Sequence, residues 1–259
     1  MTTRLALLAR HTRRLALSTL PNCRPAARVD ARVPWYTIRN ADDGAERVIV
    51  SLDGEIGWDV ESSDFARELR AITAPNIDLH INSPGGSAWD GYAIYNALVT
   101  HPATITAHIV GVAASAASFI AMAGTEVVAY RPSEMMIHDA AGWVDVWGIL
   151  NPADLARVVG ALTELKGALD QTSDEIAAIY ARKAGADHGT AADWRTRMQA
   201  TTWYTPDTAL AAGLVDRIDG DDIDSPAPGE TGATDGASAS AAWDWARARD
   251  RARARARAY

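Results

Sequence analysis

Apolar and polar positions change period along this chain in a regular way. Arg47-Val48-Ile49-Val50-Ser51-Leu52 is short and β-branched and reads as a strand, with Gly54 and Gly57 marking a turn after it. Ser62-Ser63-Asp64 supplies a helix cap. Phe65, Leu69 and Ile72 then share one face of a helix that ends near Ile72. Residues 77–81 predict a second strand, followed by a glycine turn at Asn82-Ser83-Pro84-Gly85-Gly86. A helix follows over 88–99, with Tyr92, Tyr95, Asn96 and Val99 spaced to share a side. Thr104 to Val110 predicts a third strand, and the Ala-rich run 116–123 a helix. Two more strands are predicted at 127–130 and 134–138. Gly142, Gly148 and Pro152 mark 139–152 as a loop that carries Trp143 and Trp147. Beyond it, Leu155, Val158, Val159, Leu162, Leu165, Leu169, Ile176 and Ile179 keep helical spacing over about 153–184. Strands alternating with helices predict an α/β fold of repeated βαβ units with right-handed crossovers and a mainly parallel sheet.

Composition changes this picture little in the middle and much at the ends. The chain has 259 residues and is 48% hydrophobic, enough for one medium domain with a real core plus tails. Its formal charge of −8 argues against a general nucleic-acid binder. Cys23 is the single cysteine, which excludes an intrachain disulfide and a cysteine-based metal site and fits a reducing, cytoplasmic setting. Residues 1–33 hold seven arginines and one acid, Asp30, and read as a basic, disordered arm. Their apolar runs are too short for a secretory segment or a membrane span, and no membrane partner is expected. A domain over 34–218 follows. Residues 219–242 form an acidic Gly/Ser/Ala-rich linker, and 243–259 an Arg/Ala-rich basic tail. That tail is either a solvated, frayed end or an anchor to anionic surfaces or nucleic acid.

Candidate chemistry gathers at three places. Gly111-Val112-Ala113-Ala114-Ser115-Ala116-Ala117-Ser118 joins a strand to a helix. Ser115 there sits beside peptide N–H groups that lack intrahelical partners and can hold a negative oxygen. A hydroxyl nucleophile needs that setting, because its attack on a carbonyl creates an oxyanion. The competing reading is small residues chosen for close helix packing. Gly85 and Gly86 let a backbone N–H approach a substrate oxygen, or they form a plain turn. His138 ends a short apolar strand and is either structural or the general base for Ser115.

Together, Asn82-Ser83-Pro84-Gly85-Gly86, Gly111-Val112-Ala113-Ala114-Ser115 and Met136-Ile137-His138 resemble the Clp-type (ClpP-like) serine peptidases in order and spacing. Ala209-Leu210-Ala211-Ala212-Gly213-Leu214-Val215-Asp216 resembles that family's closing helix and strand. Trp35-Tyr36, Gly54-Glu55-Ile56-Gly57-Trp58, Trp89-Asp90-Gly91, Ala121-Met122-Ala123-Gly124 and Thr202-Trp203 are similar to the ClpP-like head-maturation proteases of tailed phages.

The resemblance implies a ClpP/crotonase-like fold in which the helix over 153–184 projects as a handle and joins subunits into a homo-oligomeric ring. A long core helix within the monomer is the other reading of that segment. It implies Ser115 as nucleophile, His138 as general base and acid, and the N–H groups of Gly86 and Ala116 as the oxyanion hole. Peptide would bind as an added strand beside Gly85, Gly86 and Ser87 and the stretch after His138 that holds Gly142. The family's aspartate position falls on Thr201, so Thr201 orients the imidazole weakly, Asp187 or Asp193 replaces it, or the site is a Ser–His dyad. No metal, nucleotide or other cofactor is implied, and with no P-loop any ATP dependence would come from a separate unfoldase. The implied substrates are capsid, scaffold or portal protein inside a procapsid in the host cytoplasm. The basic arm would then touch the inner capsid wall or nucleic acid. Other readings are a subunit of an ATP-dependent Clp protease, a crotonase-type acyl-CoA enzyme, and a non-enzymatic assembly protein.

Overall fold

The computed structural model describes residues 36–40, 46–57, 62–142, 144 and 149–220. The basic arm, most of the acidic linker, the basic tail, and Trp35, Trp58, Trp143 and Trp147 lie outside the described residues. The chain divides into two compact units. Among the described residues one consists of Gly142, Val144 and 149–164, and the other of the rest.

In chain order the elements are β1 (Tyr36–Asn40), β2 (Arg47–Ile56), α1 (Ser62–Ala71), β3 (Asn76–Gly86), α2 (Ala88–Val99), β4 (Thr104–Ala114) and α3 (Ala116–Ala121). Then come β5 (Glu126–Tyr130), β6 (Glu134–Ile137), α4 (Pro152–Ala184), a short 3₁₀ turn at Ala186–His188, and α5 (Ala191–Gln199). The chain closes with β7 (Thr202–Tyr204), α6 (Pro206–Ala211) and β8 (Arg217–Asp219). One sheet runs β1-β2-β3-β4-β5-β8. It is parallel from β2 onward, and β1 adds an antiparallel edge. β4 forks: its first half pairs with β5, while Val112 to Ala114 pair with β6. β6 in turn carries β7 antiparallel. This is the α/β, ClpP-like architecture that the sequence implies, long helix included.

The pleat sorts the sheet's two faces. In β3 the buried residues Ile77, Leu79 and Ile81 alternate with half-buried ones. They pack in one core with Val50 and Leu52 of β2, Phe65 and Leu69 of α1, and Ile94 and Leu98 of α2. Each such side chain contributes about 1.5–3 kcal/mol by leaving water. Asp78, His80 and His108 point to the other face. His108 is only 8% exposed, and neither ring nitrogen has a hydrogen-bond partner. Burial pulls the His108 pKa down, with Asp78 opposing.

Several elements differ from the sequence-based expectation. α2 buries Gly91, Ile94, Tyr95 and Leu98 and leaves Val99 exposed, so of Tyr92, Tyr95, Asn96 and Val99, spaced to share a side, only Tyr95 is buried. The glycine turn after Ile81 is extended backbone, and β3 continues through Gly86. Gly54 does not end β2 either; it sits in a register shift between Asp53 and Glu55. The closing strand begins at Arg217, after the buried Leu214 and Val215. β1, α5 and β7 were not expected.

The smaller unit holds the start of α4. Asn151 Oδ1 accepts from the N–H groups of Ala153 (2.9 Å) and Asp154 (3.0 Å), which caps the helix. Leu155, Val159 and Leu162 are exposed here. The later half of α4, in the larger unit, buries Ile176, Ile179 and Tyr180. Among the described residues no helix is long and apolar enough to cross a membrane.

Candidate active site

β4 and α3 meet at Ser115, whose backbone is φ 54°, ψ −123°. A positive φ at a non-glycine residue costs of order 1–3 kcal/mol and persists only where the surroundings enforce it. Here they do. Ser115 N–H donates to Met136 O at 2.9 Å. The Ser115 carbonyl accepts from Ser118 N (3.0 Å) and from Ser118 Oγ (2.5 Å). Ser118 Oγ also lies 2.7 Å from the Tyr180 hydroxyl, deep in the core. The result resembles a nucleophile elbow, a sharp strand-to-helix turn that pushes one hydroxyl outward. Ser118 and Tyr180 were not singled out in the sequence. A serine three residues after Ser115 is a weak local signal, and Tyr180 has none.

The same Met136 belongs to β6, which delivers His138 just beyond its end. His138 Nε2 lies 2.7 Å from Ser115 Oγ. The structure therefore brings together the two residues that the sequence paired across twenty-three positions. Burial lowers the His138 pKa from its ordinary value, while the Asp139 carboxylate pulls it back up.

The end of β3 closes the site from the other side. Gly85 has φ +94°, and a Cβ there would stand 2.5 Å from Ala114 O, 2.6 Å from Ser115 Cβ and 2.8 Å from Ala116 N. Only glycine permits this approach. Gly85 N–H is taken by Ser83 Oγ at 3.1 Å. A Cβ at Gly86 would overlap the Ile56 carbonyl. Ala116 is the first residue of α3, so its N–H has no intrahelical acceptor. α3 is only six residues long, shorter than the run to 123, so this local N–H matters more than any helix dipole.

Three expectations need correction or restriction. Ser87 caps α2: its hydroxyl accepts from Asp90 N at 3.3 Å, and its own N–H donates to Ile56 O at 3.1 Å. Its hydroxyl and N–H are thus engaged within the fold. Gly142 belongs to the smaller unit. Asp193 is held by Thr190 in the capping box of α5, which keeps its carboxyl below the ordinary value. Asp187 is exposed in the 3₁₀ turn. Asp139 gives its oxygens to Arg195 (2.8 and 3.1 Å), which also binds Asp170 and Asp174.

Thr201 lies where the antiparallel register continues from the pair Ile137 and Thr202, directly across from His138. Its φ is 52°. Among the described residues its hydroxyl makes no hydrogen bond to the imidazole.

The site brings together a serine on a strained turn, an imidazole in contact with its hydroxyl, and the unpaired first N–H of α3 beside them. Known proteins are similar to much of this chain. The ATP-dependent Clp protease proteolytic subunit 2 of Mycolicibacterium paratuberculosis is 29% identical over 198 residues, spanning 73% of this chain and 92% of that protein. The ATP-dependent Clp protease proteolytic subunit 1 of Mycobacterium tuberculosis is 31% identical over 179 residues, 67% of this chain and 82% of that one. The proteolytic subunit of Ligilactobacillus salivarius is 36% identical over 99 residues, 36% of this chain and 50% of that one. The Clp protease family profile matches residues 42–221. With well over half of its length matched, this chain belongs to the Clp protease family.

Proposed function

We propose that this protein is a serine endopeptidase that cleaves peptide bonds through an acyl-enzyme on Ser115. The observation that carries the reading is the 2.7 Å contact between Ser115 Oγ and His138 Nε2 on a strained turn. His138 takes the Ser115 proton as Oγ attacks the substrate carbonyl. The N–H groups of Gly86 and Ala116 hold the oxyanion. His138 then protonates the departing amine, and water, activated by the same imidazole, releases the acyl group. Thr201 is the position across from the imidazole and supplies no negative charge to the imidazolium.

The proposed setting is maturation of a phage prohead, with capsid, scaffold or portal protein as substrate and a homo-oligomeric ring as the working form. The tryptophan- and glycine-bearing turns named above support it. A second reading, the proteolytic partner of a separate ATP-driven unfoldase, is favoured by the relatives, which are proteolytic subunits of ATP-dependent Clp proteases. A stable complex with such an unfoldase, isolated on size exclusion in the presence of ATP, would decide for the second.

The test of the chemistry is intact-mass analysis after treatment with a fluorophosphonate. One adduct is expected on the parent protein and none on Ser115→Ala or His138→Ala. No adduct on folded parent protein would sink the peptidase reading in favour of an assembly protein.

The buried imidazole also sets a pH dependence. The base works only when neutral, and a lowered pKa keeps it neutral to lower pH. The acid limb of kcat/KM is therefore expected to have its midpoint below 6.5, the ordinary histidine value. A midpoint above it would mean that a carboxylate, not burial, governs His138.

A further inference from the structure

The other face of the sheet carries a second cluster, on the two strands that lead into the serine site. His80 of β3 and His108 of β4 are direct register partners, and Asp78 lies two residues before His80 on the same face. One donor atom from each residue falls within 4.8 Å of the other two. We propose that Asp78, His80 and His108 form a binding site for a divalent transition-metal ion of the zinc class.

Three observations support it. His108 is nearly enclosed, yet both ring nitrogens lack a hydrogen-bond partner. Asp78 Oδ1 stands 3.7 Å from His108 Nε2, too far for a hydrogen bond. A tetrahedral zinc with bonds of about 2.0–2.1 Å spaces its donors about 3.4 Å apart, so this pair is almost set. The other carboxylate oxygen, Oδ2, accepts from Arg47 at 3.0 Å, which turns Oδ1 toward the imidazole as an outer partner does in metal sites. The two ring centroids lie 5.0 Å apart with the planes inclined by 66°.

The local charge permits a cation. Arg217 is the second nearby arginine, and it is neutralised by Glu126 and Asp219. Two imidazoles and one carboxylate suit zinc, cobalt or nickel better than magnesium or calcium, which prefer all-oxygen sets. Three protein ligands leave a fourth position for water. Bound there, the ion would clamp β3 to β4, the two strands that lead into Gly86 and Ser115.

The test uses the full chain, stripped with chelator and titrated with zinc by calorimetry. Cobalt serves in parallel as a visible-absorption probe of four-coordinate geometry. The parent protein is expected to take up one equivalent of zinc, give the intense cobalt bands and melt at a higher temperature with zinc. His138→Ala should behave the same, which separates this site from the serine site. His108→Gln, His80→Gln and Asp78→Asn should weaken uptake by more than the roughly 10- to 100-fold that a merely supporting residue costs. If His108→Gln does not fold, the half-buried His80 and Asp78 variants carry the comparison. The proposal is overturned if the folded parent protein takes up no zinc. It is equally overturned if uptake survives in the folded His80 and Asp78 variants or disappears with His138→Ala.

Discussion

Exchanging Thr201 for aspartate is expected to raise peptide turnover by about 10²- to 10⁴-fold. The register that pairs Ile137 with Thr202 sets Thr201 opposite His138, so a carboxylate there would face the imidazole. A negative group in that place fixes the tautomer and stabilises the imidazolium that forms as Ser115 attacks; the upper bound is what a serine protease loses when that charge is removed. The backbone favours the change as well. Thr201 has φ 52°, an outlier for a β-branched residue but a conformation that aspartate and asparagine adopt readily. Thr201→Asp and Thr201→Asn should therefore both match or exceed the parent in thermal stability. Only the aspartate should gain turnover, measured as kcat/KM on a reporter peptide. A stability gain without any rate gain in Thr201→Asp would show that another group already orients the ring.

Gly85→Ala is expected to abolish fluorophosphonate labelling and to destabilise the protein by about 3 kcal/mol or more. The added methyl would meet Ala114 O, Ser115 Cβ and Ala116 N at 2.5, 2.6 and 2.8 Å, and φ +94° is itself hostile to alanine. None of these neighbours is the free end of a flexible side chain, so relief requires moving the serine turn. Gly160→Ala is the control, since nothing lies within 4 Å of a Cβ there and alanine favours a helix. A Gly85→Ala protein that labels at the parent rate would show that β3 does not shape the site.

The contrast between these two positions tracks what the sequence can reveal. Gly85, Ser115 and His138 were legible because each sits at the end of an apolar run whose period marks it as a strand or helix. Thr201 was legible only by counting within a family pattern, and its conformation not at all, since positive φ at a threonine comes from tertiary constraint. The side of α2 that Tyr92, Tyr95, Asn96 and Val99 define is only partly buried: Tyr95 joins Ile94 and Leu98 in the core, while Tyr92 is half-buried and donates to Thr172 O at 2.7 Å. β1 and β7 went unseen because short antiparallel edge strands carry too few residues for a period. α5 buries only Trp194 and Met198, one step of helical spacing, too little to notice. His80 and His108 could not be linked before β3 and β4 were set in register, because strand pairing is invisible in a single sequence.

The fork in β4 bears on when the proposed chemistry can arise. β2, β3 and the first half of β4 can pair as soon as they are made. The second half of β4 waits for β6, which follows it along the chain. Until β6 docks, Ser115 lacks the Met136 carbonyl that holds its N–H, and the imidazole that would draw its proton is absent. A chain in which β6 has not docked thus lacks both contacts, and the proposed chemistry at Ser115 arises only when β6 is in place.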